Sequence, residues 1–236
     1  MLVRPLYSRK FIFFNTLTKE AQDYLVEHVP FYKQLTKSER KAFQFRTYRF
    51  LDSHNFIGKN IEVTEEMKLL IAAMAVQLTF GLKNYMYDLF HTIIVYPKSY
   101  RSTLTQAMHD GEANPNLGIL VFSWEEFAKG IRVNNDNLNL GLHEFMHGLH
   151  FSFIRYVSKE GESFLGSYEA LLELCTPELI AKMKIDSYVR PYAFTNSFEL
   201  LSVFAECFFE SPSILKQRYP SVYQQYVNML NLDLVK

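Results

Sequence analysis

The sequence predicts an α+β chain that is mostly helical, with a small sheet ahead of one central helix. Three observations carry this reading. Apolar residues recur at helical spacing behind Ser, Thr and Asn caps over much of the chain. Two short runs, 91–96 and 118–122, are rich in β-branched and other strand-forming residues instead. After them comes a helical apolar segment with His143-Glu144-Phe145-Met146-His147, an H-E-x-x-H pattern.

Thr36-x-x-Glu39 forms a capping-box signal for a helix running towards Leu51, with Phe43, Tyr48, Phe50 and Leu51 on its core face. Thr64 opens a second helix and places Glu65 and Glu66 at its positive end; Ile71, Met74, Ala75 and Leu78 mark it as buried scaffold. His91–Tyr96, stopped by Pro97, and Gly118–Phe122 read as strands. The polar stretch between them holds the turn signals Asp110-Gly111 and Asn114-Pro115. Ser123-x-x-Glu126 caps the next helix, and the polar loop 134–137 leads into the H-E-x-x-H helix. Thr176-Pro177-Glu178 starts another helix, 196–210 is a long apolar one, and Ser211-Pro212 restarts a final helical region.

At 236 residues the chain has room for a substantial core, and no Gly- or Pro-rich linker divides it. A single domain over 1–236 is expected, with a helical N-terminal region over about 1–60 and the core of the site in 61–236. Lys+Arg and Asp+Glu both number 25, so charge gives no reason to expect nucleic acid or an acidic membrane as partner. Arg4, Arg9 and Lys10 precede Phe11-Ile12-Phe13-Phe14, a run too short for a signal core. The longest apolar stretch, 69–80, is broken by Gln77 and Thr79 and falls short of the roughly 20 residues that span a bilayer. Cys175 and Cys207 are too few for a disulfide framework. Together these features predict a soluble cytoplasmic protein.

On a helix, His143 and His147 share one face and can grip one metal ion. Glu144 borders the same ion without ligating it, placed to take a proton from a metal-bound water. A catalytic zinc site needs a third protein ligand. Spacing leaves Glu169, Glu173, Glu199 and Glu206 open; Glu199 and Glu206 are two helical turns apart on one face of an apolar helix, where an acid needs a partner. Glu199 has a second reading as capping-box partner of Asn196.

His-Glu-Phe-Met-His, with Pro191-Tyr-Ala-Phe-Thr-Asn-Ser-Phe-Glu199 and Glu206-Cys-Phe-Phe-Glu, resembles the MtfA-like zinc peptidases, the Mlc titration factor family. Matches in family order extend from Leu35-Thr-Lys-Ser-Glu39 through Val63-Thr-Glu-Glu-Met67, Ile94-Val-Tyr-Pro97 and Val121-Phe-Ser-Trp-Glu125 to Tyr219-Pro220. The resemblance covers roughly residues 30 to 232. It implies a zincin-like metallopeptidase domain, similar in its catalytic core to anthrax lethal factor. One Zn²⁺ per chain would be held by His143, His147 and Glu199, with Glu144 as general base and Tyr192 as hydroxyl donor to the reacting carbonyl. It also implies aminopeptidase-like action on peptides. The alternative it carries is a regulator-binding protein that sequesters a transcriptional repressor, its zinc site secondary or vestigial. The sequence departs from the family at His150, where Asp is usual, and Val203 stands where the lethal-factor pattern has a second acid; Glu206 is the better candidate to support a ligand. The segment from His147 to Tyr192 is shorter than in many relatives. Strand 118–122 offers a candidate edge for an extended peptide, beside the plainer reading of core sheet.

Overall fold

The computed structural model describes residues 12–13, 16–103 and 105–235. Arg4, Arg9, Lys10, and Phe11 and Phe14 of the apolar run after them, lie outside the described residues. The chain opens with a small hairpin, β1 (Ile12–Phe13) and β2 (Thr16–Leu17), then helices α1 (Lys19–His28), α2 (Pro30–Gln34) and α3 (Lys37–Ser53). β3 (Asn55–Gly58), α4 (Glu65–Leu78) and β4 (Thr92–Tyr96) follow. A second small hairpin, β5 (Tyr100–Arg101) with β6 (Met108–His109), precedes β7 (Gly111–Asn114) and β8 (Ile119–Ser123). The rest is helical: α5 (Trp124–Arg132), α6 (Leu140–Arg155), α7 (Lys159–Leu174), α8 (Pro177–Asp186), a 3₁₀ turn at Pro191–Phe194, α9 (Ser197–Glu210), α10 (Pro212–Arg218) and α11 (Pro220–Leu230).

The expected caps form. Thr36 and Glu39 make a reciprocal capping box, and Thr64, Ser123, Thr176 and Asn196 each accept from backbone N–H groups of the helix they start. The α3 face also forms as read, with Phe43, Tyr48 and Phe50 buried and Leu51 packed against the core. Among the described residues no helix is long and apolar enough to cross a membrane. Both cysteines are free thiols.

The main sheet has the order β3-β4-β8-β7; the first three strands are parallel, and β7 runs antiparallel to β8 at the edge. This corrects the expectation that strand 118–122 offers an edge: β8 has a neighbour on each side. The edge strand beside β8 is β7, inside a segment read as turns. Its Gly-Glu-Ala-Asn has no strand pattern, and Gly and Asn are poor strand formers. β8 supplies the missing order through a hairpin whose tight return uses Gly118 at φ +66. β3, too, has no strand signal of its own and is aligned by β4.

One hydrophobic core runs from Leu17 to Leu230, and α6 crosses its middle. The sheet turns Ile93, Val95, Leu120 and Phe122 onto it, and the rings of Phe50, Tyr87 and Phe122 surround Phe145 at centroid distances of 5.1–5.9 Å. Helix α6 is therefore buried on nearly every face, so its polar side chains lie in a low-dielectric setting. Phe122→Ala, which empties one side of this ring cluster, is expected to cost about 3–5 kcal/mol; the midpoint of urea unfolding measures it.

Candidate active site

Helix α6 starts at Asn139. Its Oδ1 accepts from Leu142 N at 3.1 Å, while its Nδ2 donates to Gly130 O at 3.1 Å and Glu210 Oε1 at 3.0 Å. This fixes the start of α6, and one to two turns on His143 and His147 face α9. Asn196 caps α9 by accepting from Phe198 N and Glu199 N. The capping box considered for Glu199 is only half made, because the Glu199 carboxylate turns to the histidines. Its Oε2 lies 2.9 Å from His143 Nε2 and 3.6 Å from His147 Nε2, and the two ring nitrogens are 3.2 Å apart.

Glu206, two turns further along α9, is 1% exposed and holds the back of the same histidine. Its Oε1 accepts from His143 Nδ1 and from Arg190 Nη2, each at 2.7 Å; its Oε2 accepts from Arg190 Nη1 and Asn139 N, also at 2.7 Å. Ser202 Oγ donates to the carbonyl of His143 at 3.0 Å. With Nδ1–H given to Glu206, a neutral His143 turns a lone pair at Nε2 towards two other lone-pair donors. That arrangement calls for a cation. A proton meets the demand: burial acts to lower the His143 pKa, but hydrogen bonds to Glu199 and Glu206 outweigh it and carry it up to about 10. Burial acts to raise the Glu199 pKa, but hydrogen bonds from His143 and His147 outweigh it and hold the carboxyl well below the usual range.

A divalent metal meets the demand equally well. A tetrahedron with metal–ligand bonds of 2.0–2.1 Å has edges of about 3.4 Å, and the three observed separations bracket that value. Two imidazoles and one carboxylate, with a buried carboxylate behind the first, form a donor set suited to zinc. Glu169 and Glu173, weighed as third ligands, are exposed on α7 and outside this cluster.

Glu144 is buried beside the cluster, and burial raises its pKa against the lowering influence of both histidines. Gly111 of β7 lies flat against it: a Cβ there would come within 2.6 Å of the Glu144 side chain. Tyr192, on the 3₁₀ turn, is 50% exposed with its ring centroid 6.0 Å from that of His143; partial burial, then the Glu199 charge, push its phenol up to about 12. Two cavities, of about 340 and 300 Å³, meet at this point, both bordered by His109, Gly111, His143, Glu144 and Tyr192.

His150 does not join the cluster. It is buried against Tyr168 and Phe198, with ring centroids 4.7 and 5.3 Å away, and its Nδ1 has no hydrogen-bond partner among the described residues. Burial, with His147 next, lowers its pKa to about 4, so it is a neutral member of an aromatic cluster.

Over residues 6–230 the chain matches the family model described as glucose-regulated metallo-peptidase M90. The chain belongs to that metallopeptidase family. An M90 chain is therefore what carries the His143–His147–Glu199 cluster. Among similar proteins is an uncharacterised protein of Synechocystis sp., 27% identical over 241 residues, covering 92% of this chain and 86% of that protein. Another is Mlc titration factor A of Edwardsiella ictaluri, 24% identical over 192 residues, 74% of this chain and 73% of that protein.

Three residues of the M90 site went unread in the sequence. Asn139 had a readable signal, an Asn just before an apolar helical run. The sequence marks Gly111 only as a turn residue, and Arg190 has no local signal. Glu206→Gln, which keeps the shape but replaces the carboxylate behind His143 by an amide, is expected to weaken metal binding by roughly 10–100-fold; competition with a chromogenic chelator measures it.

Proposed function

We propose that the chain is a zinc-dependent peptidase with a zincin-like core, aminopeptidase-like in its choice of substrate, and that it works in the cytoplasm. Residues 1–236 are taken as one metallopeptidase domain, the helical region 1–60 flanking the catalytic core 61–236. The observation that carries the reading is the convergence of His143 Nε2, His147 Nε2 and Glu199 Oε2 next to the buried carboxyl of Glu144. These three would hold one Zn²⁺ per chain. When bound, the metal supplies Lewis acidity, acidifying a water and polarising a carbonyl.

The protein's own groups do the rest. Glu144, its proton affinity raised by burial, takes a proton from the attacking water and returns it to the leaving amine. Tyr192, at the junction of the two cavities, donates a hydrogen bond to the carbonyl oxygen as negative charge develops there. β7, with β8 on one side only, presents a backbone edge to an extended peptide, and Gly111 lets that edge approach Glu144. The aminopeptidase reading draws on Glu112 of β7, an acid bordering the smaller cavity and suited to a free α-ammonium group, its carboxylate held by Ser102 Oγ at 2.8 Å.

A second reading draws on the name of the Edwardsiella relative, a titration factor: the chain sequesters a regulatory protein such as a transcriptional repressor. A regulator bound equally well by zinc-free protein and by Glu144→Gln would favour it.

Glu144→Gln is expected to keep about one zinc per chain while losing about 10²–10⁴ in kcat. Metal analysis alongside peptide digestion checks both parts. Glu199→Ala is expected to strip the metal, whereas Glu169→Ala leaves it in place. Tyr192→Phe is expected to lower kcat by about 10²–10³ with KM little changed, read from steady-state kinetics.

A further inference from the structure

The two cavities that meet at Glu144 differ in character. The larger is bordered by Glu126, Lys129 and Arg190, whose charges are taken up by partners: Lys129 pairs with Glu126 at 3.2 Å and Arg190 with Glu206 at 2.7 Å. The smaller, about 300 Å³, is bordered by Ala113, Phe151 and Phe198 beside His147 and Glu199. There the Phe151 and Phe198 rings stack with centroids 5.9 Å apart, and Phe198 is left 39% exposed. An aromatic wall facing open space beside a buried polar cluster is apolar surface that a ligand can cover.

The edge strand fixes which end of a peptide meets this wall. β7 runs from Gly111, against Glu144, to Asn114. Glu112 and Ala113 lie on the smaller cavity alone, Met108 and Asp110, before the strand, on the larger alone, and His109 and Gly111 on both. The smaller cavity is therefore at the C-terminal end of β7. A peptide added antiparallel, the more stable pairing, carries its amino end to that side.

We propose that the cavity walled by Phe151 and Phe198 selects an aromatic or large aliphatic side chain, on the peptide residue just before the bond presented to Glu144. The words "before the bond" rest on the peptidase reading above; recognition by the aromatic wall does not. Burial of one large apolar side chain gives about tenfold or more in affinity over Ala.

The test uses zinc-loaded Glu144→Gln protein and free-amine peptides X-Ala-Ala-Ala, with X as Phe, Leu, Ala or Asp, followed by isothermal calorimetry. Phe and Leu peptides are expected to bind about tenfold or more tightly than Ala and Asp peptides. In parallel, wild-type protein digests the same peptides, and mass spectrometry locates the cut, expected directly after X. Adding Phe198→Ala to the Glu144→Gln protein is expected to flatten the preference, and adding Phe198→Trp, which fills the cavity, to turn it towards Ala; zinc content reports that each variant is folded. Binding of all four peptides within about twofold of one another overturns the proposal. So does a preference that survives both Phe198 changes, or one that maps to the residue after the cut. If wild-type protein cuts nothing while the binding order holds, the peptidase reading falls and the aromatic recognition stands.

Discussion

With its Nδ1 proton committed to Glu206, a neutral His143 would point a lone pair at Glu199 and His147, so the cluster needs a cation, a proton or a metal ion, and a support that fixes the ring. The restraint comes from behind. Arg190 clamps Glu206 through both guanidinium nitrogens, and Asn139 N binds the same carboxylate. The carboxylate is thus fixed although almost wholly buried, with four hydrogen bonds satisfying its oxygens. Without that clamp His143 would be free to turn, and the cluster would relax by separating.

Burial of α6 makes the arrangement effective. The rings packed round Phe145 bury the rest of the helix, and His143, Glu144 and His147 are themselves buried, so charges there act at short range in a lowered dielectric. The raised proton affinity of Glu144 follows from the same burial. His150 shows the opposite outcome on the same helix. One turn past His147, among Tyr168 and Phe198 and with no carboxylate to stabilise a charge, it is held neutral. His150 is thus an aromatic-packed imidazole, and the carboxylate that fixes His143 comes from Glu206 on α9.

Access to the cluster is set by β7. Its backbone edge, the close approach of Gly111 to Glu144 and the two unlike cavities on either side form a cleft with direction, with the Phe151–Phe198 wall on one side only. Membership of a metallopeptidase family and the geometry of this cleft bear on the same chemistry from independent sides.

Much of this was legible in the chain. Helix caps are local: Thr36 with Glu39, Thr64, Ser123, Thr176 and Asn196 bond to groups within four residues, so sequence spacing carries the information. The pairing of His143 with His147 follows from helical pitch for the same reason. The choice of Glu199 over Glu169 or Glu173 was not local, and in the sequence only a family resemblance pointed to it. Packing of α9 against α6 brings Glu199 to both histidines, while Glu169 and Glu173 on α7 stay outside the cluster. β7 became a strand only because β8 lay beside it, and Arg190 reached Glu206 across 16 residues, a span spacing does not encode. The sequence alone determined which groups are able to bind a cation. Tertiary packing decided which of them meet, because contacts between distant segments depend on how whole faces bury together.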